Sequence, residues 1–256
     1  MYFMSVVKNQ TTKDDLDYLS VIIPVYNEVF RLTQEMWRVL AVQIPKELII
    51  IDDCSRDGTR ELLEQWAANP ALLLADYENT SLKILFHEKN QGKGAAIRTG
   101  VAHATGRITL IQDADQEYDP AEYPKLLALI LMGDSDVVYG SRFCGESRRV
   151  LSFWHSLGNK LLTLLSNMCT NLSLTDMETC YKVFKTEIIK NIPLRSNRFG
   201  FEREITAKIA KLRCNIYEVP ITYKGRSYAE GKKINWKDGI SAIYTILKFR
   251  FVDDYR

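Results

Sequence analysis

Two carboxylates, Asp113 and Asp115, stand two residues apart where an aliphatic run ends, in Leu110-Ile111-Gln112-Asp113-Ala114-Asp115-Gln116-Glu117. On an extended chain alternate side chains project to one face, so the pair is expected side by side. Hard oxygen donors at that spacing suit Mg²⁺ or Mn²⁺, ions that keep part of their water shell and share ligation with substrate phosphates. A diphosphate leaving group needs such neutralisation, because negative charge grows on it as its bond to the transferred group breaks.

Three other loops carry polar residues that could meet such a substrate. Asn90-Gln91-Gly92-Lys93-Gly94-Ala95-Ala96 sets a lysine between glycines at a helix start, where backbone amides and a cation could hold phosphate. Its glycine spacing is not that of a P-loop. Asp52-Asp53-Cys54-Ser55-Arg56-Asp57-Gly58-Thr59 begins with adjacent carboxylates that face opposite ways, so one is free to accept from a base or ribose while the other does something else; Ser55 and Asp57 also read as turn and cap residues. Ile23-Pro24-Val25-Tyr26-Asn27-Glu28 stops a strand at polar groups, and Asn27 there is either a nucleotide contact or a helix cap. His87, His103 and His155 lie in unlinked contexts, and no Ser or Cys is placed as an activated nucleophile.

The elements that must position these loops follow from periodicity. Short β-branched and aliphatic runs at Leu19–Val25, Glu47–Ile51, Leu82–Phe86, Ile108–Gln112 and Asp136–Tyr139 predict strands, with helices over Glu28–Val42, Asp57–Ala68, Lys93–Ala104 and Ala121–Met132. An Asp cap starts the second helix and Asp119-Pro120 the fourth. This alternation predicts an open α/β, mostly parallel sheet flanked by helices, with chemistry at the carboxyl ends of the strands. Beyond it come helices around Leu157–Met168, over Phe201–Leu212 and from Trp236, and strands at Cys180–Lys185 and Ile216–Tyr223.

The 256 residues carry 34 Lys and Arg against 32 Asp and Glu, a balance that demands no nucleic-acid partner. Five cysteines, an odd number without a C-x-x-C pair, point to a reducing compartment. Met1 to Asp17 lacks the basic start and apolar run of a signal peptide. The longest apolar run, Leu126 to Met132, has seven residues, too few to span a bilayer, so any membrane contact is expected to be interfacial.

Taken together, SVIIPVYNE, IDDCSRDGT, NQGKGAAIRTG and LIQDADQEYDP, in that order, resemble the nucleotide-sugar-binding half of family 2 glycosyltransferases with the GT-A fold, and within them the dolichyl- and polyprenyl-phosphate mannose synthases and dolichyl-phosphate glucosyltransferases. The resemblance covers residues 19 to 143 and continues more loosely to the C-terminus. It implies that Pro24, Tyr26 and Glu28 surround the nucleotide, that Asp53 holds base or ribose, and that Lys93 lies near the donor. It further implies that Asp113 and Asp115, with Ala114 between them, bind the donor diphosphate through Mg²⁺ or Mn²⁺. Glu117 stands where some relatives have a Gln metal ligand.

On the acceptor side the resemblance places Gly140-Ser141-Arg142 and Arg148-Arg149 near a lipid phosphate, which the fork of an arginine suits. Thr175-Asp176-Met177-Glu178-Thr179-Cys180-Tyr181-Lys182 resembles the family's acceptor motif, with Cys180 where many relatives have Gly. It implies Asp176 or Glu178 beside the reacting centre, with Asp115 and Arg142, and inversion by one in-line displacement. A hydroxyl acceptor needs one of the two as general base, whereas a phosphate acceptor is already an oxyanion at neutral pH.

The expected organisation is a lead-in over 1–18, a catalytic domain over 19–223 divided near 143 into donor and acceptor halves, and a basic amphipathic segment over 224–256. That segment holds eight Lys or Arg against four Asp or Glu, with Trp236, Ile240, Ile243, Tyr244 and Leu247 at helical spacing, and reads either as an interfacial helix or as a helix docked on the domain. The leading expectation is transfer from GDP-mannose or UDP-glucose to a polyprenyl phosphate by a protein held peripherally on the cytoplasmic membrane face, with a membrane-spanning partner subunit possible. The alternatives are an enzyme acting on a saccharide or protein hydroxyl and a non-catalytic nucleotide-sugar-binding subunit.

Overall fold

The computed structural model describes residues 19–144, 153–225 and 236–253. The lead-in over 1–18, Arg148 and Arg149, and most of the loop after Tyr223 lie outside them. The first half alternates as expected: β1 (Leu19–Val25), α1 (Val29–Ala41), β2 (Lys46–Asp52), α2 (Thr59–Ala68), the short α3 (Ala71–Leu74), β3 (Thr80–Phe86), α4 (Lys93–His103), β4 (Ile108–Ile111), α5 (Tyr123–Leu131) and β5 (Val137–Ser141). There follow α6 (Phe153–Thr170), β6 (Lys182–Lys185), α7 (Thr186–Asn191), α8 (Phe201–Lys211), β7 (Ile216–Pro220), α9 (Trp236–Leu247) and a π-helical turn, Lys248–Val252.

Seven strands form one sheet in the order β3-β2-β1-β4-β6-β5-β7. All neighbours are parallel except β6, which runs antiparallel to both β4 and β5. β1, β2 and β4 are buried along almost their whole length, polar Ser20, Lys46, Glu47 and Thr109 included, because helices cover both faces of the sheet. Leu48 and Ile50 of β2 join the core packed under α1, α2 and α5, while Ile49 and Ile51 join the core under α4, α7, α8 and α9. Pro24 is tolerated inside a central strand because pairing of β1 with β4 ends at Ile22 and Ile111, so its missing N–H falls beyond that ladder.

Two expectations at element ends need correction. β4 stops at Ile111, so Asp113 and Asp115 stand on a turn, and the same-face argument from an extended chain does not apply to them. The cap residue of α2 is Gly58 at φ +99°, with Asp57 one residue earlier accepting from the amide of Thr59. The C-terminal segment is docked through one stripe: Ala242, Ile246 and Phe249 are buried, and Asp253 meets Arg195 at 2.6 Å and Lys208 at 3.1 Å. Its other stripe, Ile243, Tyr244, Leu247, Phe251 and Val252, is exposed. α6 is apolar on two sides: Leu162 and Leu165 pack against the core beside the inward Asn159, Thr163 and Ser166, while Leu161, Leu164 and Met168 are more than half exposed.

Candidate active site

The first two loops are built into one another. The amide of Asn27 donates to Ser55 Oγ, that of Glu28 to Thr59 Oγ1 and that of Val29 to Asp57 Oδ2, so the second loop satisfies amides at the start of α1. Asn27, at φ +57°, returns the favour by accepting from the amide of Arg56 at 2.9 Å. Pro24 is half-buried and Tyr26 about half exposed at the carboxyl edge of β1, and Glu28 lies 3.4 Å from Arg31.

Asp52 and Asp53 do have different partners. Asp52 is fully buried, 3.0 Å from Arg60 Nε. Asp53 turns to the glycine loop: Oδ1 meets the Gln91 amide at 2.8 Å and His87 Nδ1 at 2.7 Å, and Oδ2 accepts from the Gly92 amide at 2.6 Å. His87, which reads as unlinked in sequence, is thus part of the loop's support. The two amides face Asp53 rather than a substrate phosphate. Gly92 and Gly94 are needed because a Cβ on either would come within 2.4 Å of the carbonyl oxygen of Asn197 or Ser196.

Lys93 then projects from the start of α4 to Asp113, 2.7 Å from Oδ1, with Cys180 Sγ at 2.8 Å and Glu202 at 3.5 Å. Burial works against its charge, but the carboxylates of Asp113 and Glu202 outweigh burial and hold its pKa well above the usual lysine range. Burial, reinforced by Asp113, pushes the Cys180 thiol up, so it stays protonated. Ala114 is buried, and Asp115 accepts from the Glu117 amide at 3.2 Å. Among the described residues no three His, Cys, Asp or Glu side chains converge into a metal cage. Two acidic side chains on a half-open turn fit an ion of the Mg²⁺ kind, which takes one or two carboxylates and completes its shell with water and phosphate.

On the acceptor side Arg142, at the end of β5, grips Asp176 in a bidentate pair, Nε to Oδ2 at 2.6 Å and Nη2 to Oδ1 at 2.8 Å. Asn159 adds 3.2 Å to the fully buried Asp176. Glu178 is held the same way by Arg203, with both contacts at 2.8 Å. Burial raises the Glu178 pKa, Arg203 lowers it, and the neighbouring Glu202 adds to the rise. Arg142 also lies 5.0 Å over the Tyr223 ring, whose hydroxyl donates to Glu117 at 2.6 Å. This chain of contacts joins Glu117, Arg142 and Asp176, whereas Tyr26 and Glu28 stand apart on the β1 side.

Several contributors are missing from the sequence reading: Glu202 and Arg203 at the start of α8, the stacked Tyr118, Tyr181 and Tyr223, and the buried pair Gln112 and Glu35. Only Glu35 leaves a signal, a carboxylate on the buried stripe Leu32, Met36 and Val39 of α1.

The sheet order, with one antiparallel strand inserted and the acidic turn at the carboxyl end of β4, defines the GT-A class of glycosyltransferase folds. The crystal structure of glucosyl-3-phosphoglycerate synthase from Mycobacterium tuberculosis in complex with UDP superposes with a TM-score of 0.67 over 96% of this chain and 87% of that one, at 16% identity. The chain belongs to glycosyl transferase family 2, whose model matches residues 20–192. The undecaprenyl-phosphate mannosyltransferase of Micrococcus luteus is 28% identical over 82% of this chain and 85% of its own length. The dolichyl-phosphate beta-glucosyltransferase of Dictyostelium discoideum is 26% identical over 97% and 78%.

Proposed function

We propose that this chain transfers a hexose, from GDP-mannose or UDP-glucose, to a polyprenyl or dolichyl phosphate, with inversion, while bound peripherally to the cytoplasmic face of a membrane. The observation that carries the choice of acceptor is that Asp176 and Glu178 are each locked in a bidentate arginine pair. Both oxygens of each carboxylate are taken up by a guanidinium rather than turned to an incoming hydroxyl. A phosphate monoester brings its own nucleophilic oxyanion, its second pKa being about 6. The names of the two relatives support the same acceptor class.

In this reading Asp113 and Asp115, with Glu117 beside them, would hold Mg²⁺ or Mn²⁺, and the ion would supply the positive charge that a departing diphosphate needs. Lys93 places a second cation beside Asp113, and Ala114 presents backbone to the donor. Pro24, Tyr26 and Glu28 line the nucleotide side, while Asp53 holds the glycine loop in the shape that receives it. Arg142, oriented by Asp176, faces the acceptor phosphate. The acceptor oxygen attacks the anomeric carbon, the bond from that carbon to the diphosphate breaks, and nucleoside diphosphate departs without a proton transfer. The outward apolar stripe of α6 and the exposed stripe of α9 support contact with lipid. Among the described residues no helix is long and apolar enough to cross a membrane, so a membrane-spanning partner is an additional way to supply an anchor.

Glu178, the acceptor-side carboxylate paired with Arg203, provides the test. The pH profile of transfer to polyprenyl phosphate should follow the acceptor's ionisation near about 6 in both wild type and Glu178→Gln. A loss of kcat of roughly a hundredfold or more in Glu178→Gln, at every pH, would assign a base and move the acceptor to a hydroxyl.

A further inference from the structure

The acidic turn between β4 and α5 is gripped by one face of α1 at three points. At its start Gln112, fully buried, uses all four of its amide's bonding positions. Its Oε1 accepts from Tyr123 at 2.8 Å and Tyr181 at 2.6 Å, and its Nε2 donates to Glu35 Oε1 at 2.9 Å and to the Asp113 carbonyl at 3.0 Å. In the middle Gln116, held at φ +65°, donates to the carbonyl of Arg31 at 2.9 Å. At the far end Arg38 bridges Glu35 Oε2 at 2.7 Å and Asp119 Oδ1 at 3.2 Å, and Asp119 also accepts from the amide of Ala121 as the chain enters α5. Residues 31, 35 and 38 fall on one side of a helix, so the grip follows from α-helical periodicity.

We propose that Glu35 and Arg38 are positioning residues for the donor diphosphate, clamping Gln112 and Asp119 so that Asp113 and Asp115 are presented at a fixed separation and angle. The proposal rests on the reading of Asp113 and Asp115 as the diphosphate site. A carboxylate on a buried apolar stripe carries a desolvation cost that an apolar side chain would not. Its geometry gives it a use: two carboxylate oxygens face two donors, the Gln112 amide and the Arg38 guanidinium.

Burial raises the Glu35 pKa to about 7, with Arg38 lowering it and Asp119 and Asp113 adding to the rise. The other titratable groups facing it are Tyr123 and Tyr181, whose phenols burial pushes far above the usual range, so they stay neutral donors. A protonated Glu35 would turn an O–H against one of its two donors. The clamp therefore closes as Glu35 ionises.

The test is binding of GDP or UDP with Mn²⁺, followed by the electron paramagnetic resonance of bound Mn²⁺ over a pH range centred on about 7. In the wild type affinity should rise with pH through that range. Glu35→Gln can satisfy only one donor, and Glu35→Leu neither, so both should bind roughly ten- to a hundredfold more weakly above about 7, losing the step there and keeping only the nucleotide's own phosphate ionisation near about 6. The Leu variant should also melt below the wild type, because it leaves the Gln112 amide and Arg38 without their acceptor. Wild-type affinity and pH profile in both variants overturn the clamp. If Glu35→Leu does not fold, the profile of Glu35→Gln against the wild type decides alone. Asp115→Asn separates the two readings: loss of binding there with none in the Glu35 variants refutes only the clamp, and retained binding in Asp115→Asn refutes the donor site on which it rests.

Discussion

Arg142 and Asp176 are buried and matched fork to fork, so removing either leaves the other as an uncompensated charge. Asp176→Asn and Arg142→Lys should each cost a few kcal/mol in transfer, and the double variant about as much as one alone, which a double-mutant cycle in kcat/KM would measure. Additive losses would mean that the two act separately. Asp115→Asn should abolish metal-dependent turnover, raising the barrier by about 3 kcal/mol or more while circular dichroism stays unchanged. That Asp113 and Asp115 follow the end of β4 was legible in sequence, although the same-face pairing argued from an extended chain was not met. Their surroundings were not legible: Lys93 and Cys180 are 87 positions apart, and Asp53 and His87 are 34, distances across which a single sequence carries no contact signal. The roles implied for Asp176 and Glu178 illustrate the same limit, since nothing local announces that arginines 34 and 25 residues away take up their carboxylates.

Elements were far more legible, because parallel strands covered on both faces and amphipathic helices write their periods into the chain. β1 runs over Leu19–Val25, as periodicity predicts. What escaped was set by tertiary pairing: the antiparallel seat of β6, the one-turn α3 and α7, and the early stop of β4 that puts the aspartates on a turn. Cross-capping of α1 by Ser55, Asp57 and Thr59 was equally hidden, though the residue types read as caps. Gly94→Ala should lower stability by about 1–3 kcal/mol by driving a Cβ into the Ser196 carbonyl, and should weaken donor binding by displacing Lys93. Thermal melts and nucleotide titration check the two effects.

Glu47 ties three elements, accepting from Ser20 of β1 and from Thr105 and Gly106 before β4. Burial pushes its pKa up, but the bonds from Ser20, Thr105 and Gly106 outweigh burial and hold it below the ordinary 4.5. Its stabilisation is therefore present above about 4.5 and is lost as acid protonates the folded chain below that value. Glu47→Ala should flatten this acid limb in urea melts; an unchanged limb would place the acid sensitivity elsewhere.

For the whole molecule, composition left open whether the C-terminal helix docks or lies on lipid, because one apolar stripe serves either purpose. The structure gives the segment two stripes, one packed through Ala242, Ile246 and Phe249 and one exposed. The outward apolar face of α6 could not be read either, since periodicity marks a stripe without saying which way it points. If these faces meet lipid, the protein should sediment with anionic liposomes at low salt, and Leu161→Glu with Leu164→Glu should release it while leaving nucleotide binding intact. Sedimentation of that variant like the wild type would remove α6 from the membrane contact.

Sugar transfer to a lipid phosphate is measured by incubating the chain with Mg²⁺ or Mn²⁺, radiolabelled GDP-mannose or UDP-glucose and a short polyprenyl phosphate, and following the label into organic solvent. One donor should label the lipid, chelation of the metal and Asp115→Asn should abolish the labelling, and the product should be β-linked. Donor consumption that releases free sugar or labels a saccharide, with none reaching the lipid, would contradict the lipid-phosphate acceptor.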